Sequence, residues 1–162
     1  MDATVGTSTQ IGRSVESPTT FFTFDGEAWT PTRVSKSPWR RGATNGMAVA
    51  GLLMHLAEQV EAPVPMLPAH ATIDILRPVP YGPLRTRAVV TREGKKMQMV
   101  ESHLLGDGEV VARARVLRVR EIESPSLPAP NPYPLPEHCP DKAFFRDGHP
   151  LGRLVETRQI LD

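Results

Sequence analysis

A single cysteine, Cys139, excludes an intramolecular disulfide and any metal site built from several cysteines. The net charge of +1 at pH 7 lacks the basic excess that is typical of a general nucleic-acid binder. No apolar run approaches the length that crosses a bilayer, and no secretory signal pattern opens the chain. GxGxxG, Walker, HExxH and CxxC motifs are also missing. We therefore expect a soluble cytoplasmic protein that uses no metal or cofactor and contacts neither nucleic acid nor membrane.

The composition is otherwise that of an ordinary globular chain, with 40% hydrophobic and 23% charged residues. Residues 1–18 are rich in Ser, Thr and Gly without periodicity, which predicts a flexible lead-in. A folded domain is expected over 19–123, and a stiff linker over 124–142, where seven of the sixteen residues from Pro125 to Pro140 are proline. The remaining stretch, 143–162, ends in a strand-like segment and predicts the start of a second, incomplete unit.

The stretch GATNGMAVAGLLMHLAEQ, from Gly42 to Gln59, predicts a helix whose first three turns carry no polar face. Asn45 can cap this helix, because its side-chain oxygen can accept a hydrogen bond from an otherwise unpaired N–H. At about 14 residues the helix is too short to span a bilayer. A helix that is apolar nearly all round must then be covered by other elements.

Strand signals on both sides of the helix supply the expected cover. An Asp25–Gly26 pair between aromatic-rich runs predicts a hairpin before the helix. Four strand-like segments separated by turn residues follow the helix, and their short connections favour antiparallel pairing. These segments are 68–82, 83–94, 95–108 and 109–122. The predicted fold is α+β, with one long central helix wrapped by a curved antiparallel sheet of five to six strands.

The last of these segments changes its hydrophobic face along its length. The residues on the first face are Val110, Ala112, Ala114 and Val116, whereas Leu117 and Val119 lie on the other. A bulge or a curl of the strand near Val116 would account for the switch.

Several stretches resemble the TesB-like acyl-CoA thioesterase family, whose members have the hotdog fold. The similar stretches are FDGEAWTPT, NGMAVAGLLMHLAEQ, TIDILRPVP, REGKKMQMVESHLLGDGEVVARARVLRV and GHPLGRLVETRQIL, which together cover roughly residues 20 to 160. Proteins of this family usually carry two hotdog halves in tandem. This chain is similar to the first half, the linker and the opening strand of the second. The resemblance implies hydrolysis of acyl-CoA thioesters at the junction of two hotdog units.

Thioester hydrolysis needs a donor that polarises the carbonyl, a polar group that positions water, and a groove for the acyl chain. The helix N-terminus at Asn45, Gly46 and Met47 can supply the donor through free backbone N–H groups and the positive end of the helix dipole. Gly46 also allows a ligand to approach the backbone closely. Alternatively, Gly46 and Gly51 serve only tight helix–sheet packing.

Asp74 and Thr72 are the first candidates for the polar group. In TIDILRP, Ile73 and Ile75 share one strand face, so Asp74 and Thr72 point outward or toward a partner subunit if the isoleucines pack on the helix. A similar TID stretch in the family's catalytic half contributes its threonine to the site. The alternative is that Asp74 pairs with Arg77 or another surface arginine.

Glu58 and Gln59, at the end of the helix, are further candidates for a water-positioning role. Other single-hotdog thioesterases place an acidic residue in the middle of the helix, where this chain has Leu53 and Met54. The alternative is that His55, Glu58 and Gln59 mark the point where the helix emerges into solvent.

A group of basic residues on one predicted hairpin can meet the phosphates of coenzyme A. The residues chosen are Arg92, Lys95 and Lys96, with Arg85 and Arg87 on the same hairpin. Ordinary solvated surface is the alternative interpretation.

Two functions stay open at this point. The first is an acyl-CoA thioesterase, and the second is a non-catalytic acyl-CoA-binding or dimerisation half that lacks a competent base. A hydratase is disfavoured, because its Asp-x-Asn-x-x-His signature is missing. Both open functions predict a homodimer, since a lone hotdog sheet leaves an edge strand exposed.

Overall fold

The computed structural model of the protein describes residues 20–123, 133–142 and 158–159. Within these ranges the chain forms six strands and one α-helix. The elements are β1 (Phe22–Phe24), β2 (Trp29–Pro31), α1 (Gly46–Glu58), β3 (Met66–Ile75), β4 (Arg85–Glu93), β5 (Met97–Gly106) and β6 (Glu109–Arg120). The predicted lead-in, residues 124–132 of the predicted linker and most of the predicted second unit lie outside the described residues, so that division of the chain stays a prediction.

Four long strands form one antiparallel sheet in the order β3-β6-β5-β4, and α1 packs against it. A tight turn joins β5 to β6, in which Asp107 and Gly108 have φ values of 52° and 82°. Positive φ at both central residues is what a two-residue hairpin turn of type I′ requires. A single helix cradled by an antiparallel sheet is the architecture predicted for the domain.

The core lies between the helix and the inner face of the sheet. Its fully buried members include Val49, Leu52, Leu53 and Ala57 from α1, and Val100, Leu104, Ala112, Ala114 and Val116 from β5 and β6. A buried hydrogen bond also joins the sheet to the helix, because Ser102 Oγ on β5 donates to the Leu53 carbonyl on α1 at 2.8 Å. None of the described helices has the length and apolarity to cross a membrane.

The Asp25–Gly26 pair forms the predicted hairpin between β1 and β2. Gly26 has a φ of 101°, and the Asp25 carboxylate accepts hydrogen bonds from the backbone N–H groups of Glu27 and Ala28 at 2.9 and 2.8 Å. These bonds lower the pKa of the Asp25 carboxyl below its ordinary value, with the Ala28 bond contributing most.

The predicted count of five to six strands in the wrapping sheet is wrong, because β1 and β2 form a separate two-stranded sheet. Within the described residues, this small sheet joins the larger one through a single bridge between Trp29 and Leu84. Pairing with β4 would have to extend from Trp29 back toward Glu27, and there the chain turns through Asp25 and Gly26 instead.

The expectation that the helix is covered on every side is also wrong. The residues buried against the sheet are Ala48, Val49, Leu52, Leu53 and Ala57. The exposed residues at a spacing of three or four are Met47, Gly51, His55 and Glu58, so one stripe of the helix faces away from the sheet. A four-stranded sheet covers one side of a helix, and the apolar composition of the remaining side does not specify what covers it.

The predicted bulge near Val116 is wrong, since β6 keeps its register against β5 from Ala112 to Val119. Against β5 the register shift lies at Val111, which has no partner between the pairs made by its two neighbours. On the other side of β6, the strand β3 has a shift of its own between Pro68 and His70, opposite Arg118 and Leu117. The side chains of β6 keep alternating between the two sheet faces past Val116. The next inward position after Val116 is Arg118, a charged residue with only 6% exposure.

Arg118 and Gln98 connect the sheet to the segment that follows the helix. Arg118 Nη1 donates to the Val60 carbonyl at 2.7 Å and to Gln98 Oε1 at 2.9 Å. Gln98 Nε2 donates in turn to the Glu61 carbonyl at 3.0 Å. The buried guanidinium is stabilised because its hydrogen bonds to the Val60 and Gln98 oxygens are charge-assisted.

Gly51→Ala is expected to raise the free energy of unfolding by about 0.5–1 kcal/mol, because glycine inside a helix costs backbone entropy. Gly51 is exposed, and a Cβ added there would meet no atom within 4 Å. Urea unfolding followed by circular dichroism measures the change. A loss of stability would mean that another surface packs against Gly51 in solution.

Candidate active site

Asn45 holds the start of α1 in place. Its Oδ1 accepts a hydrogen bond from Ala48 N at 2.8 Å, which confirms the predicted cap. Its Nδ2 donates to the Val34 carbonyl at 3.2 Å, and its backbone N–H donates to the Ser35 carbonyl at 2.7 Å. The polar groups of Asn45 are thus engaged within the fold, and the residue is only 7% exposed.

Gly46 and Met47 provide the free N–H groups at this helix end. As the first two residues of α1 they have no acceptor within the helix. In the part of the chain that the structure describes, no other group accepts from them either. Both residues are exposed, so the two adjacent donors are open to a ligand. Such donors at the positive end of a helix dipole can hold a carbonyl oxygen and stabilise negative charge that develops on it.

Exposed apolar side chains lie beside these two donors. Met47 and Ile75 have exposures of 48% and 51%. The end of β3 lies close to the helix start, since Ile75 Cδ1 is 3.6 Å from the position that a Cβ on Gly46 would occupy. Exposed apolar side chains around two polar donors are typical of a site that takes a largely apolar ligand with one oxygen to be bound.

Asp74 and Thr72 lie on the opposite face of the sheet from the helix. In the register of β3 and β6, Asp74 pairs with Arg113 and Thr72 with Arg115. An Asp74 Oδ2 to Arg113 Nε distance of 2.9 Å makes an ion pair at the surface. Within one chain these two residues therefore point away from the Gly46 and Met47 donors.

Glu58 and Gln59 lie at the other end of α1. The helix rise separates Glu58 from Gly46 by about 18 Å. Both residues are exposed. The helix thus keeps these residues away from the donors of their own chain, and their predicted catalytic role requires the donors of a second unit.

The predicted phosphate-binding residues Arg92, Lys95 and Lys96 lie on and beside the turn between β4 and β5, and all three are exposed. A surface cavity of about 460 Å³ opens at this turn, and Lys95 lines it together with Arg120, Glu93, Gly94, Pro63 and Val64. Arg120, which the sequence analysis did not select, is the additional cation there. Arg85 is engaged elsewhere, in an ion pair with Glu27. Among the described residues, no cluster of His, Cys, Asp or Glu could hold a metal ion.

His103, on the outer face of the sheet, is a titratable residue that the sequence analysis missed. It is only 9% exposed, and its Nδ1 has no hydrogen-bond partner among the described residues. Burial lowers the pKa of its imidazole below the ordinary value of 6.5, and the Arg87 and Arg113 guanidinium groups lower it further against an opposing effect of Glu101. Cross-strand register determines these neighbours, so a hydrophobic pattern along one strand gives no signal for them.

The low pKa of His103 predicts that acid weakens the fold. Because the folded-state pKa lies below the unfolded value, the unfolded chain binds more protons just below pH 6.5. The free energy of unfolding should therefore fall as the pH drops from 6.5 to the folded-state pKa and then level off. Urea unfolding at a series of pH values measures this slope.

A His103→Asn variant should lose this part of the pH dependence. His70→Asn is the matched control, since His70 is an exposed histidine on β3. Equal slopes in the wild type and in His103→Asn would contradict the prediction.

Solved structures of other proteins have a similar fold. A solved hot dog fold protein of unknown function from Alicyclobacillus acidocaldarius is 21% identical with a TM-score of 0.61, and the match covers 90% of this chain and 54% of that one. A candidate thioesterase II from Thermobifida fusca is 19% identical with a TM-score of 0.59, covering 77% and 47%. A Bacillus halodurans protein solved with CoA is 19% identical with a TM-score of 0.52, covering 62% and 71%. The predicted hotdog fold is thus confirmed.

This chain spans about half the length of the Alicyclobacillus and Thermobifida proteins. No curated protein sequence matches it. A family model described as the acyl-CoA thioesterase N-terminal domain matches residues 35–119, which is more than half of the 162 residues. That segment contains α1, its two free N–H groups and all but the last residue of the four-stranded sheet. The chain therefore belongs to the acyl-CoA thioesterase N-terminal domain family.

Proposed function

We propose that this protein takes part in the hydrolysis of acyl-CoA thioesters, with the thioester carbonyl bound by the N–H groups of Gly46 and Met47. The observation that carries the proposal is the pair of free, exposed donors beside exposed apolar side chains at the start of α1. The family match and the CoA in the Bacillus halodurans structure support acyl-CoA as the substrate class. We also propose that the chain is TesB-like, as the sequence resemblance implies.

The proposed chemistry uses these donors in a step that builds up negative charge. Water attacks the carbonyl carbon, the oxygen of the tetrahedral intermediate accepts hydrogen bonds from Gly46 and Met47, and the carbon–sulfur bond breaks to release the thiol of coenzyme A and a free acid. Donors that are already oriented lower the barrier because no solvent must reorganise around the developing charge. Met47 and Ile75 would contact the acyl chain.

The phosphates of coenzyme A are proposed to bind at the turn between β4 and β5. Arg92, Lys95 and Lys96 supply exposed positive charge there, and Arg120 adds another charge at the wall of the cavity. Lysine and arginine hold phosphate oxygens through charge-assisted hydrogen bonds.

A second hotdog unit is proposed to complete the site, and in this chain a second copy supplies it as a homodimer. The two groups of predicted polar residues lie away from the Gly46 and Met47 donors of the same chain. Among the described residues, β3 pairs only with β6 and leaves a ten-residue edge free, with Ile75 and Leu76 exposed at its end. Such an edge invites pairing with another copy. A strictly monomeric particle by light scattering at micromolar concentration would contradict the homodimer.

A free-thiol release assay on short-, medium- and long-chain acyl-CoAs tests the function, with Asp74→Asn as the variant. Loss of turnover in this variant would support Asp74 as the residue that positions water across the dimer junction. Glu101→Gln is the matched control, because Glu101 also pairs with an arginine of β6 on the same sheet face, at 3.3 Å from Arg115. Unchanged turnover in Asp74→Asn would move the water-positioning role to Glu58.

The alternative function is a non-catalytic half that binds acyl-CoA. It is favoured by the placement of both candidate carboxylates, since Asp74 lies on the outer sheet face and Glu58 at the far end of the helix. Thermal stabilisation by acyl-CoA without release of thiol would support this function over hydrolysis.

A further inference from the structure

A row of charged and titratable side chains crosses the outer face of the sheet. The register of the four strands places Arg87, His103, Arg113 and Asp74 opposite one another, one from each strand. Side chains in such a row lie on the same face, with neighbouring strands about 4.8 Å apart. His103 therefore has an arginine on either side.

The two arginines beside His103 differ in their partners. Arg113 is paired with Asp74 at 2.9 Å. Arg115, one row along, is paired with Glu101 at 3.3 Å. Arg87 has no carboxylate partner within the described ranges, so its positive charge is left uncompensated next to the imidazole.

The imidazole itself is also incompletely partnered. His103 is only 9% exposed, yet its Nδ1 makes no hydrogen bond in the described part of the chain. The nearest carboxylate oxygen, on Glu101, lies 3.9 Å from Nε2, which is beyond hydrogen-bond distance. When the ring is protonated, this buried Nδ1 carries an N–H without an acceptor, and the Arg87 guanidinium on the neighbouring strand also has no anionic acceptor among the described residues.

We propose that Arg87 and His103 form a binding site for a tetrahedral oxyanion of the phosphate or sulfate type on the outer face of the sheet. The guanidinium of Arg87 would donate to two oxygens, and the Nδ1–H of His103 would donate to one of them. The anion favours the imidazolium form of His103, because it adds a negative charge where Arg87 and Arg113 otherwise repel a proton. Free phosphate and the phosphate groups of coenzyme A are the two sources of this chemistry. The site is separate from the helix N-terminus and does not depend on hydrolysis.

Proton NMR titration of the histidine rings tests the site, with sulfate as the probe because it keeps its double charge across the pH range used. Chloride at matched ionic strength controls for general screening. Sulfate is expected to raise the measured pKa of His103 and to leave the exposed His55 and His70 at their values in chloride. No change at His103, or an equal change at all three rings, would overturn the proposal.

Two arginine variants provide the second arm of the test. Arg87 is exposed, so Arg87→Met removes the proposed contact without opening the core, and the effect of sulfate on His103 should disappear. Arg85→Met is the matched control, because Arg85 lies on the same strand and face but is already paired with Glu27. Loss of the sulfate effect in Arg85→Met, or its survival in Arg87→Met, would overturn the assignment to Arg87.

The source of the anion is distinguished by following the His103 ring signal at fixed pH while either coenzyme A or inorganic phosphate is added. Saturation by coenzyme A at a lower concentration than by inorganic phosphate supports the site as a contact for the coenzyme. Saturation by inorganic phosphate at the same or a lower concentration supports a site for the free anion. A ring signal that responds to neither would overturn the proposal even if thioester hydrolysis is observed.

Discussion

Gly46→Pro is expected to lower kcat/KM for acyl-CoA hydrolysis by about 10²–10³-fold relative to Gly46→Ala, the usual cost of losing one donor to a developing oxyanion. Proline removes the N–H of the first helical residue and changes little else at this position. Helices tolerate proline there, because that N–H has no partner within the helix. The preceding residue, Asn45, has φ −71° and ψ 150°, the extended conformation that a residue before proline requires.

Gly46→Ala is the matched control, since it adds a Cβ at ordinary contact distance, 3.6 Å from Ile75 Cδ1, and keeps the N–H. Circular dichroism should show the same helix content in both variants. A free-thiol release assay that gives equal rates for the two variants would contradict the role of the Gly46 N–H. A fall in both rates would point to steric exclusion of the substrate instead.

Leu53→Ala is expected to lower the free energy of unfolding by about 2–5 kcal/mol, because it leaves a cavity where the helix packs on the sheet. Leu53 has 0% exposure and belongs to the same cluster as Val100, Leu104 and Val116. The loss is a large part of the stability of a small domain. Chemical unfolding followed by fluorescence or circular dichroism measures it.

Met47→Ala on the same helix is the control for helix propensity and truncation, since Met47 is 48% exposed. Its cost should be well under that of Leu53→Ala, because an exposed side chain leaves no cavity. Similar losses in the two variants would mean that Met47 is buried in solution, as it would be at a dimer interface. Repeating the measurement at several protein concentrations separates these cases.

The helix and its cap could be predicted from the sequence because their signals are local. An apolar run over 3.6-residue turns and an asparagine before it need no knowledge of distant residues, and both are present in the structure from Asn45 to Glu58. The turn at Asp25–Gly26 is likewise local. The resemblance then supplied the hotdog fold, which periodicity alone does not distinguish from other packings of a helix on a sheet.

The features that could not be predicted from the sequence depend on contacts between strands. β1 and β2 are separate from the main sheet because only the Trp29–Leu84 bridge joins them to it among the described residues. No pattern of residue types along the chain predicts this. The switch of the hydrophobic face in β6 was wrongly predicted because a charged residue such as Arg118 is expected to point to solvent. In the structure Arg118 is buried and donates hydrogen bonds to Val60 and Gln98. The cytoplasmic location, the catalytic residues and the homodimer stay predictions.

The buried position of Asn45 also has a consequence for the chemical lifetime of the protein. An asparagine followed by glycine is a sequence prone to deamidation, because the nitrogen of the glycine can attack the side-chain amide to form a cyclic imide. In the folded chain the amide of Asn45 is held between Val34 and Ala48, and Gly46 is fixed in the first turn of α1. Folding therefore protects the Asn45–Gly46 sequence from deamidation. Each time the chain unfolds, Asn45 can deamidate, and refolding does not restore the asparagine that caps the helix.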